Sequence, residues 1–450
     1  MSTTRPEFAK TAAISVLQRL REYGHSAYFV GGCVRDLLLG IVPQDYDIAA
    51  SAHPEQVMSL FPNTIAVGAQ FGVVLVVVED HAGAKPIDVE VATYRSDVGY
   101  SDGRHPDAVR YSETAQEDVQ RRDFTINGLL FDPLSNEVLD YVGGRPDLER
   151  KIIRTIGDPC QRFREDKLRM MRAVRFAARL GYEIEPSTMA AIREQAREIH
   201  QVSRERIRDE LDKMLTEGRA RRCFEFLDAT RLLVEVLPEV SALKGVQQPP
   251  QYHPEGDVWI HTLLLLEGLE KGCSKSLAWG VLLHDIGKPP TFRIAPDRIR
   301  FDQHAEVGTR MAEQICRRLR FPNDVTEQIS ALVANHMRFA DVKKMKQSTL
   351  KRFMRLPRFQ EHLELHRLDC SASHRDLSLY RFVREKLEDT PEEEIRPTPL
   401  ITGRDLIENG WKPGPQFRTV LQAVEDAQLE GVVHSREEAM SFVQTNFGKQ

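Results

Sequence analysis

The sequence predicts an α+β protein, with an N-terminal α/β segment followed by an all-helical remainder. From Ala27 to about Pro133, strand-like and helix-like pieces alternate, as they do in α/β domains. From about Glu183 onward the two-residue alternation of strands gives way to helical periodicity that runs to the end of the chain. At 450 residues the chain is too long for one hydrophobic core, and roughly three domains are expected.

Composition narrows the class of protein. With 41% hydrophobic and 29% charged residues the chain has the make-up of an ordinary globular protein. Its net charge of -5 argues against global electrostatic attraction to nucleic acid, so any RNA contact must use local basic patches. Cys33, Cys160, Cys223, Cys273, Cys316 and Cys370 are scattered without a CxxC pair, which suggests neither a disulfide framework nor a zinc ribbon. A reducing cytoplasm is the expected compartment. The N-terminus reads as an amphipathic helix ending at Gly24, without the continuous apolar core of a signal peptide. The longest apolar run, Phe71 to Val78, is far too short to span a bilayer and is expected to form a buried strand.

The segment FVGGCVRDLLLGIVPQDYD, Phe29 to Asp47, holds the first chemistry-bearing group. An apolar strand is expected to run into Gly31 and Gly32, where the missing side chains let backbone N–H groups approach a phosphate. Arg35 offers a guanidinium to phosphate, with Asp36 beside it to hold it. Asp45 and Asp47, one residue apart in an apolar strand, project from the same face, and a divalent metal relieves the repulsion between such carboxylates. Most such triplets in proteins are solvated turns, but the glycine pair and the arginine upstream favour a metal and phosphate site. This combination resembles the nucleotidyltransferase superfamily and, within it, the bacterial class II tRNA nucleotidyltransferase (CCA-adding) and poly(A) polymerase family.

Further along, a short helix is expected over Pro54 to Phe61, then the strand VVLVVVED, a polar hairpin turn at His81 to Lys85, and a strand over Ile87 to Arg95. Alternation puts Asp88 and Glu90 on one face of that strand and Val89 and Val91 on the other. The resemblance implies that Glu90, with Asp88 as competitor, completes the metal carboxylates. Ser96 to Tyr111, rich in Gly, Asp and Ser, is expected to be a mobile loop; it resembles the flexible loop of enzymes that add the terminal adenosine. RRDFTING, Arg121 to Gly128, places two arginines, an acid and an amide at strand alternation. It matches the family's RRDFTIN block, which assigns nucleotide binding to Arg122, Asp123 and Asn127; the block ends in Gly128 where the family often has Ala.

Arg162 to Leu180 is expected to be one amphipathic helix, with Leu168, Met171, Val174 and Ala178 as its apolar stripe. Arg169, Arg172, Arg175 and Arg179 line up beside them. Asp166 and Arg169 lie three apart and together offer acceptors and donors to a base edge. Glu165, Asp166 and Arg169 match the family's EDxxR block, in which Asp and Arg act as a protein template that selects C and A. Arg204, Arg206, Arg208, Arg219, Arg221 and Arg222 are either an RNA-tracking patch or solubilising charge, and Lys343 to Phe359 is a second basic candidate.

The third constellation is His261, His284 with Asp285, His304, His336 and Asp369, each in a separate helix-like segment. Their order resembles an HD phosphohydrolase domain, in which imidazoles and aspartates hold metal that activates water. The acidic run Glu388 to Glu394 is expected to be a solvated linker before a last helix, Arg418 to Glu430.

The resemblance covers nearly the whole chain. It implies a nucleotidyltransferase head with a mixed sheet over residues 1–137, a template-bearing neck over 138–200, a helical body over 201–245, an HD domain over 246–385 and a helical tail over 386–450. The implied activity is transfer of nucleotides from CTP and ATP to a tRNA or other RNA 3′ end. Mg²⁺ is expected on Asp45, Asp47 and Glu90, and a transition metal such as Mn²⁺, Ni²⁺ or Co²⁺ in the HD domain. No membrane partner is expected. Two rival readings stand beside it: an enzyme of the same family that adds only A, and a metal-dependent hydrolase whose head merely holds RNA.

Overall fold

The expected strand before the glycine pair forms at Ala27–Val30 (β1), and its alternating apolar residues bury it almost completely. The structure, a computed structural model, describes residues 5–68, 72–79, 85–98 and 108–448. It divides into two compact units, Met1–Pro238 and Glu239–Gln450.

In the first unit, β1 is followed by Asp47–Ala50 (β2), Thr64–Gly68 (β3), Val73–Val78 (β4) and Ile87–Thr93 (β5). Arg95–Val98 (β6) and Ala108–Tyr111 (β7) form an antiparallel pair apart from the main sheet. Leu129–Asp132 (β8) and Glu137–Asp140 (β9) complete a seven-stranded sheet of order β3-β4-β5-β2-β1-β8-β9. Only β2 and β5 run parallel among its pairs, so the sheet is mixed, as expected. Val89 and Val91 are buried while Asp88 and Glu90 are exposed, which bears out the alternation. The hairpin turn expected at His81 to Lys85 falls largely outside the described residues. The same holds for the centre of the Ser96–Tyr111 segment, whose two ends are strands rather than loop.

The α-helices of this unit are Arg5–Glu22 (α1), Gly32–Leu38 (α2), Pro54–Leu60 (α3), Ala115–Gln120 (α4), Gly144–Arg150 (α5), Pro159–Glu165 (α6), Leu168–Leu180 (α7), Pro186–Gln195 (α8), Arg204–Thr216 (α9), Ala220–Ala229 (α10) and Leu232–Val236 (α11). Two expectations are corrected here. RRDFTING is not a strand: Arg121 caps α4, and Thr125–Asn127 is a 3₁₀ turn that leads into β8. Arg162 to Leu180 is not one helix, because the chain is extended at Asp166, where Asp166 Oδ1 accepts the Leu168 N–H at 3.1 Å and starts α7 afresh. An Asp side chain that accepts a backbone N–H two residues on offers the chain a local alternative to continuing the helix, which is the physical reason for the break. The expected apolar stripe of α7 is buried at all four positions.

The Gly128 position explains its own residue. A Cβ there would meet Val142 Cγ2 at 2.9 Å, Ile156 Cδ1 at 3.0 Å and Val119 Cγ1 at 3.1 Å. Three branched side chains have taken the space an alanine needs.

The second unit is helical but not wholly so. Phe292–Ile294 and Ile299–Phe301 form an antiparallel hairpin, and Glu183–Ile184 in the first unit pairs in parallel with Ile152–Ile153, so strands do occur past Glu183. The hairpin's alternation is only three residues long on each side, too short to stand out from the helical pattern around it. The acidic run is not a linker. It spans the end of the helix Ser378–Asp389 and the helix Glu392–Ile395, whose Ile395 packs with Phe339, Leu350 and Phe353. After the expected last helix, found at Gln416–Leu429, comes a further one, Arg436–Phe447, and the two share a small core with Ile401 and Leu406. Among the described residues, no helix is long and apolar enough to cross a membrane.

Candidate active site and metal centre

A cleft of about 790 Å³ in the first unit is lined by Gly31, Gly32, Arg35, Asp45, Asp47, Arg122, Asp123, Asn127, Asp166, Arg169, Arg172 and Arg175. These are all of the residues expected from the sequence for this site except Glu90. They arrive from β2, the start of α2, the end of α4 with its 3₁₀ turn, and the α6–α7 junction. Gly31 takes a φ of 78° at the turn into α2, a conformation that favours glycine. A Cβ there would sit 3.7 Å from an Arg122 nitrogen and 4.0 Å from Asp47 Oδ2, so the turn faces both the cation and the carboxylate of the cleft.

Asp47 opens β2, and Asp45 is exposed just ahead of it. In the parallel ladder Asp47 stands opposite Glu90, whereas Asp88 pairs with Val77 on the other side of β5. Burial, then the negative charges of Glu90 and Asp45 with Arg122 opposing, pushes the Asp47 carboxyl up to about 6. The head carboxylates thus share an unmet need for positive charge. They do not converge as tightly as the histidines and acids of the second unit, where all the close ligand groups found among the described residues lie.

The arginine stripe of α7, Arg169, Arg172, Arg175 and Arg179, lies in the cleft wall. Arg35 is buried and donates to Asp36 Oδ1 at 2.7 and 2.9 Å and to Asn127 Oδ1 at 2.8 Å, so the partner expected beside it does hold it. Burial opposes ionisation of Asp123, but the Arg172 guanidinium at 2.6 Å, Asn127 and the Phe124 N–H hold its carboxyl below the usual range. Arg122 is paired with buried Asp118 at 2.9 Å. Arg35, Arg172 and Arg175 all lie within 5.5 Å of the Phe176 ring centroid, which gathers cationic charge around one aromatic ring.

Asp166 and Arg169 both face the cleft, but they do not pair with each other. Arg169 donates to Glu165 Oε2 at 2.7 Å and to the Arg162 and Arg121 carbonyls. Asp166 Oδ2 accepts from Arg206 at 2.8 Å. Arg206 was legible only as one cation among six; its place at the start of α9, four residues before Glu210, was the missed signal. Glu210 in turn takes Arg175 in a buried ion pair at 2.7 Å.

In the second unit His261, His284, Asp285, His304, His336 and Asp369 come together as expected. Asp285 sits at the centre: its oxygens lie 3.2 Å from His284 Nε2, 3.6 Å from His304 Nε2, 3.7 Å from His336 Nε2 and 3.8 Å from His261 Nε2. Asp369 lies 3.1 Å from His261 Nε2. His284, His304 and His336 each place Nδ1 at 2.7–2.9 Å from the backbone carbonyl three residues earlier. That contact fixes the tautomer and leaves each Nε2 lone pair aimed inward, the arrangement metal-ligating histidines use. Burial pushes the His336 ring down to about 3, and burial also lowers His304. His261 runs the other way: burial opposes its charge, but Asp369 and Glu255 lift it to about 9. Buried His284 Nε2 has no hydrogen bond, so the donor set fits a metal and is poorly served without one. The sequence reading missed His253, Glu255 and Lys288. Glu255 Oε1 lies 2.9 Å from His253 and 2.7 Å from His261, and Lys288 reaches Asp285 at 2.6 Å. Glu255 was visible in YHPEGDVWIH, and Lys288 three residues beyond Asp285.

The basic stretch Lys343–Phe359 is in part occupied. Arg352 pairs with Glu425 and Asp426, Arg355 with Glu425, and Lys351 with Glu394.

The mixed sheet carries paired aspartates beside a glycine turn and an arginine-lined cleft, and family models match this part of the chain and two stretches beyond it. The model for the poly A polymerase head domain matches residues 27–154, that described as "Probable RNA and SrmB- binding site of polymerase A" matches 181–244, and the HD domain matches 258–368. The chain carries these three domains in that order. It is similar to proteins named CCA-adding enzyme: that of Bacillus pumilus (strain SAFR-032) is 40% identical over 279 residues, 62% of this chain and 64% of the relative. That of Geobacillus stearothermophilus is 44% identical over 228 residues, 51% of this chain and 54% of the relative. The matched region thus spans about half to two thirds of these relatives' length. Among solved structures, the Bacillus stearothermophilus CCA-adding enzyme in complex with CTP superposes with a TM-score of 0.72 at 28% identity and covers 98% of each chain. The Thermotoga maritima CCA-adding enzyme complexed with tRNA_CCA shares the fold, with a TM-score of 0.58 at 18% identity over 99% of this chain and 96% of that one.

Proposed function

We propose that this chain is a tRNA nucleotidyltransferase that adds CCA to RNA 3′ ends from CTP and ATP and releases pyrophosphate. The observation that carries this reading is the gathering, in one cleft, of the glycine turn, the paired aspartates, the RRDFTIN block and the EDxxR block from distant parts of the chain. The names of the relatives and the CTP bound to one solved relative support it. Arg35, Arg122 and the backbone at Gly31 and Gly32 would hold the triphosphate, Asp123 and Asn127 would orient the ribose side of the cleft through their bonds to Arg172 and Arg35, and Asp166 with Arg169 would read the base edge. Asp45, Asp47 and Glu90 fit a pair of Mg²⁺ ions, since Asp47 is short of positive charge. Those ions, when bound, would supply the charge that lowers the pKa of the RNA 3′ hydroxyl and offsets the departing pyrophosphate. The nucleophile belongs to the RNA, so the protein needs no activated Ser or Cys. Head, neck, body, HD domain and tail would then span residues 1–137, 138–200, 201–245, 246–385 and 386–450, and the free cysteines suit the cytoplasm.

The HD unit supports a second activity in the same chain, a metal-dependent phosphohydrolase. Its inward-facing Nε2 atoms around Asp285 favour Mn²⁺, Ni²⁺ or Co²⁺ over the oxygen-preferring Mg²⁺ of the head. Such an ion would supply a water made nucleophilic near neutral pH. A cavity of about 440 Å³ opens beside His304, His336 and Asp369, with Lys288 in its wall to receive a phosphate.

The head assignment is tested by Asp45→Ala and Asp47→Ala, each assayed for incorporation of labelled CTP and ATP into a tRNA that lacks its 3′ terminus. Both should lose incorporation while they keep the parent's circular dichroism. Near-parental incorporation by either would remove the proposed site.

A further inference from the structure

The geometry points to Arg206 as a positioning residue for base selection: through it, helix α9 of the RNA-binding region fixes the carboxylate of Asp166. This inference rests on the reading that Asp166 and Arg169 select the incoming base. Asp166 sits in extended backbone between α6 and α7, where its own element does little to fix its side chain. Its two oxygens are nevertheless both committed. Oδ1 accepts the Leu168 N–H at 3.1 Å, and Oδ2 accepts an Arg206 guanidinium N–H at 2.8 Å. The ion pair is half-buried, with side-chain exposures of 21% and 17%, and both residues line the cleft.

Arg206 acts as a strut because its helix is itself tied down. One face of α9 carries Arg206, Glu210 and Lys213 at positions that follow the helical repeat. Glu210 is buried against Arg175 of α7 at 2.7 Å, and Ile207 and Leu211 are fully buried beside it. The spacing between α9 and α7 is therefore set by packing and a buried ion pair, and Arg206 reaches across it to Asp166. Arg169 is oriented independently, by Glu165 and the Arg162 and Arg121 carbonyls. The two halves of the base-reading pair thus have separate supports, one from the head and neck side and one from α9.

The chemistry follows from what a carboxylate offers. Each oxygen has two lone-pair directions, and a bond to each leaves a fixed pair of acceptors facing the cleft. Without Arg206 only the cap to Leu168 remains, the group turns about its last torsion, and the acceptor pattern shown to a base blurs. Selectivity falls more than overall turnover in that case, because right and wrong bases then meet the same averaged surface. The competing role for Arg206 is direct contact with an RNA phosphate, which would change RNA affinity and its salt dependence and leave nucleotide choice untouched.

The test is single-nucleotide incorporation on a tRNA lacking its 3′ terminus, with kcat and KM for correct and incorrect nucleotides and KM for the tRNA. Parent, Arg206→Gln, Arg206→Lys, Asp166→Asn and the double variant Arg206→Gln with Asp166→Asn are compared, with thermal melts on each. Arg206→Met, which keeps the aliphatic stem, replaces Arg206→Gln if the latter melts early. The inference predicts that Arg206→Gln lowers the correct-to-incorrect ratio of kcat/KM by about tenfold with the tRNA KM unchanged. Arg206→Lys restores most of the ratio, and the double variant is no worse than Asp166→Asn alone, since both act on one group. A raised tRNA KM with nucleotide choice intact overturns it in favour of a phosphate contact. Losses that multiply in the double variant overturn it as well. If Asp166→Asn itself discriminates as the parent does, the base-selection reading falls and takes this inference with it; if Asp166→Asn loses choice while Arg206→Gln keeps it, this inference alone fails.

Discussion

Replacing Asp47 with asparagine should abolish nucleotide incorporation and at the same time stabilise the metal-free protein. The carboxyl is pushed up from 3.8 to about 6 by burial and by the charges of Glu90 and Asp45, with Arg122 already counted against them. At about 1.4 kcal/mol for each pH unit, holding Asp47 ionised above that value costs about 3 kcal/mol, and the partial solvent access of the cleft reduces this to about 1–2 kcal/mol. The sign follows from proton binding. Between pH 3.8 and about 6 the folded state binds more protons at Asp47 than the unfolded state does, so stability falls as pH rises through this window and stays low above it. Asp47→Asn removes that penalty, so its advantage should be full at pH 7–8 and should fade as pH drops toward 4. The assay is urea denaturation of parent and variant in the presence of a chelator at a series of pH values, following the transition of the first unit. A variant that is less stable than the parent at pH 7.5, or an advantage that does not change with pH, would refute the electrostatic account of the cleft. Added Mg²⁺ should narrow the difference, because the parent alone gains a ligand.

Other outcomes follow from the same structure. Asp166→Ala and Arg169→Ala should each lose discrimination among nucleotides as well as rate, with about 1–3 kcal/mol of selectivity lost for a mismatched base edge; selection equal to the parent's in a misincorporation assay would exclude the pair as template. Gly128→Ala should destabilise the first unit by about 1–3 kcal/mol, because its Cβ must displace Val142, Ile156 and Val119, and a melting temperature equal to the parent's would show that these side chains yield freely. Loaded with Mn²⁺, Ni²⁺ or Co²⁺, the parent should release phosphate or open cyclic phosphodiesters, while His284→Ala with Asp285→Ala should not, yet should keep nucleotide addition; equal background hydrolysis from both would leave the HD unit as scaffold.

Much of this was written in local sequence. The glycine turn and the alternation around Glu90 depend on neighbours in the chain, and each forms as expected; of the DxD pair only Asp47 lies in the strand, with Asp45 just ahead of it. The helix break at Asp166 was less legible, since apolar and basic residues keep helical spacing straight through it and only the side-chain bond to the Leu168 N–H reveals the restart. The hairpin over Phe292–Phe301 was hidden by its short strands, and the acidic run looked like linker because Ile395 alone marks its packed side. The pairings of Arg206, Glu210 and Glu255 were illegible for a different reason. Each is one charged residue among many, and only the fold shows which carboxylate, guanidinium or imidazole it meets.

CCA addition is read out by extending a radiolabelled tRNA that ends one base before the CCA sequence, resolved at single-nucleotide length. CTP alone should add two residues, ATP alone should add none to this end, and CTP with ATP should add three and stop. Growth of an A tail from ATP alone, or no extension at all by the folded protein, would rule out CCA addition.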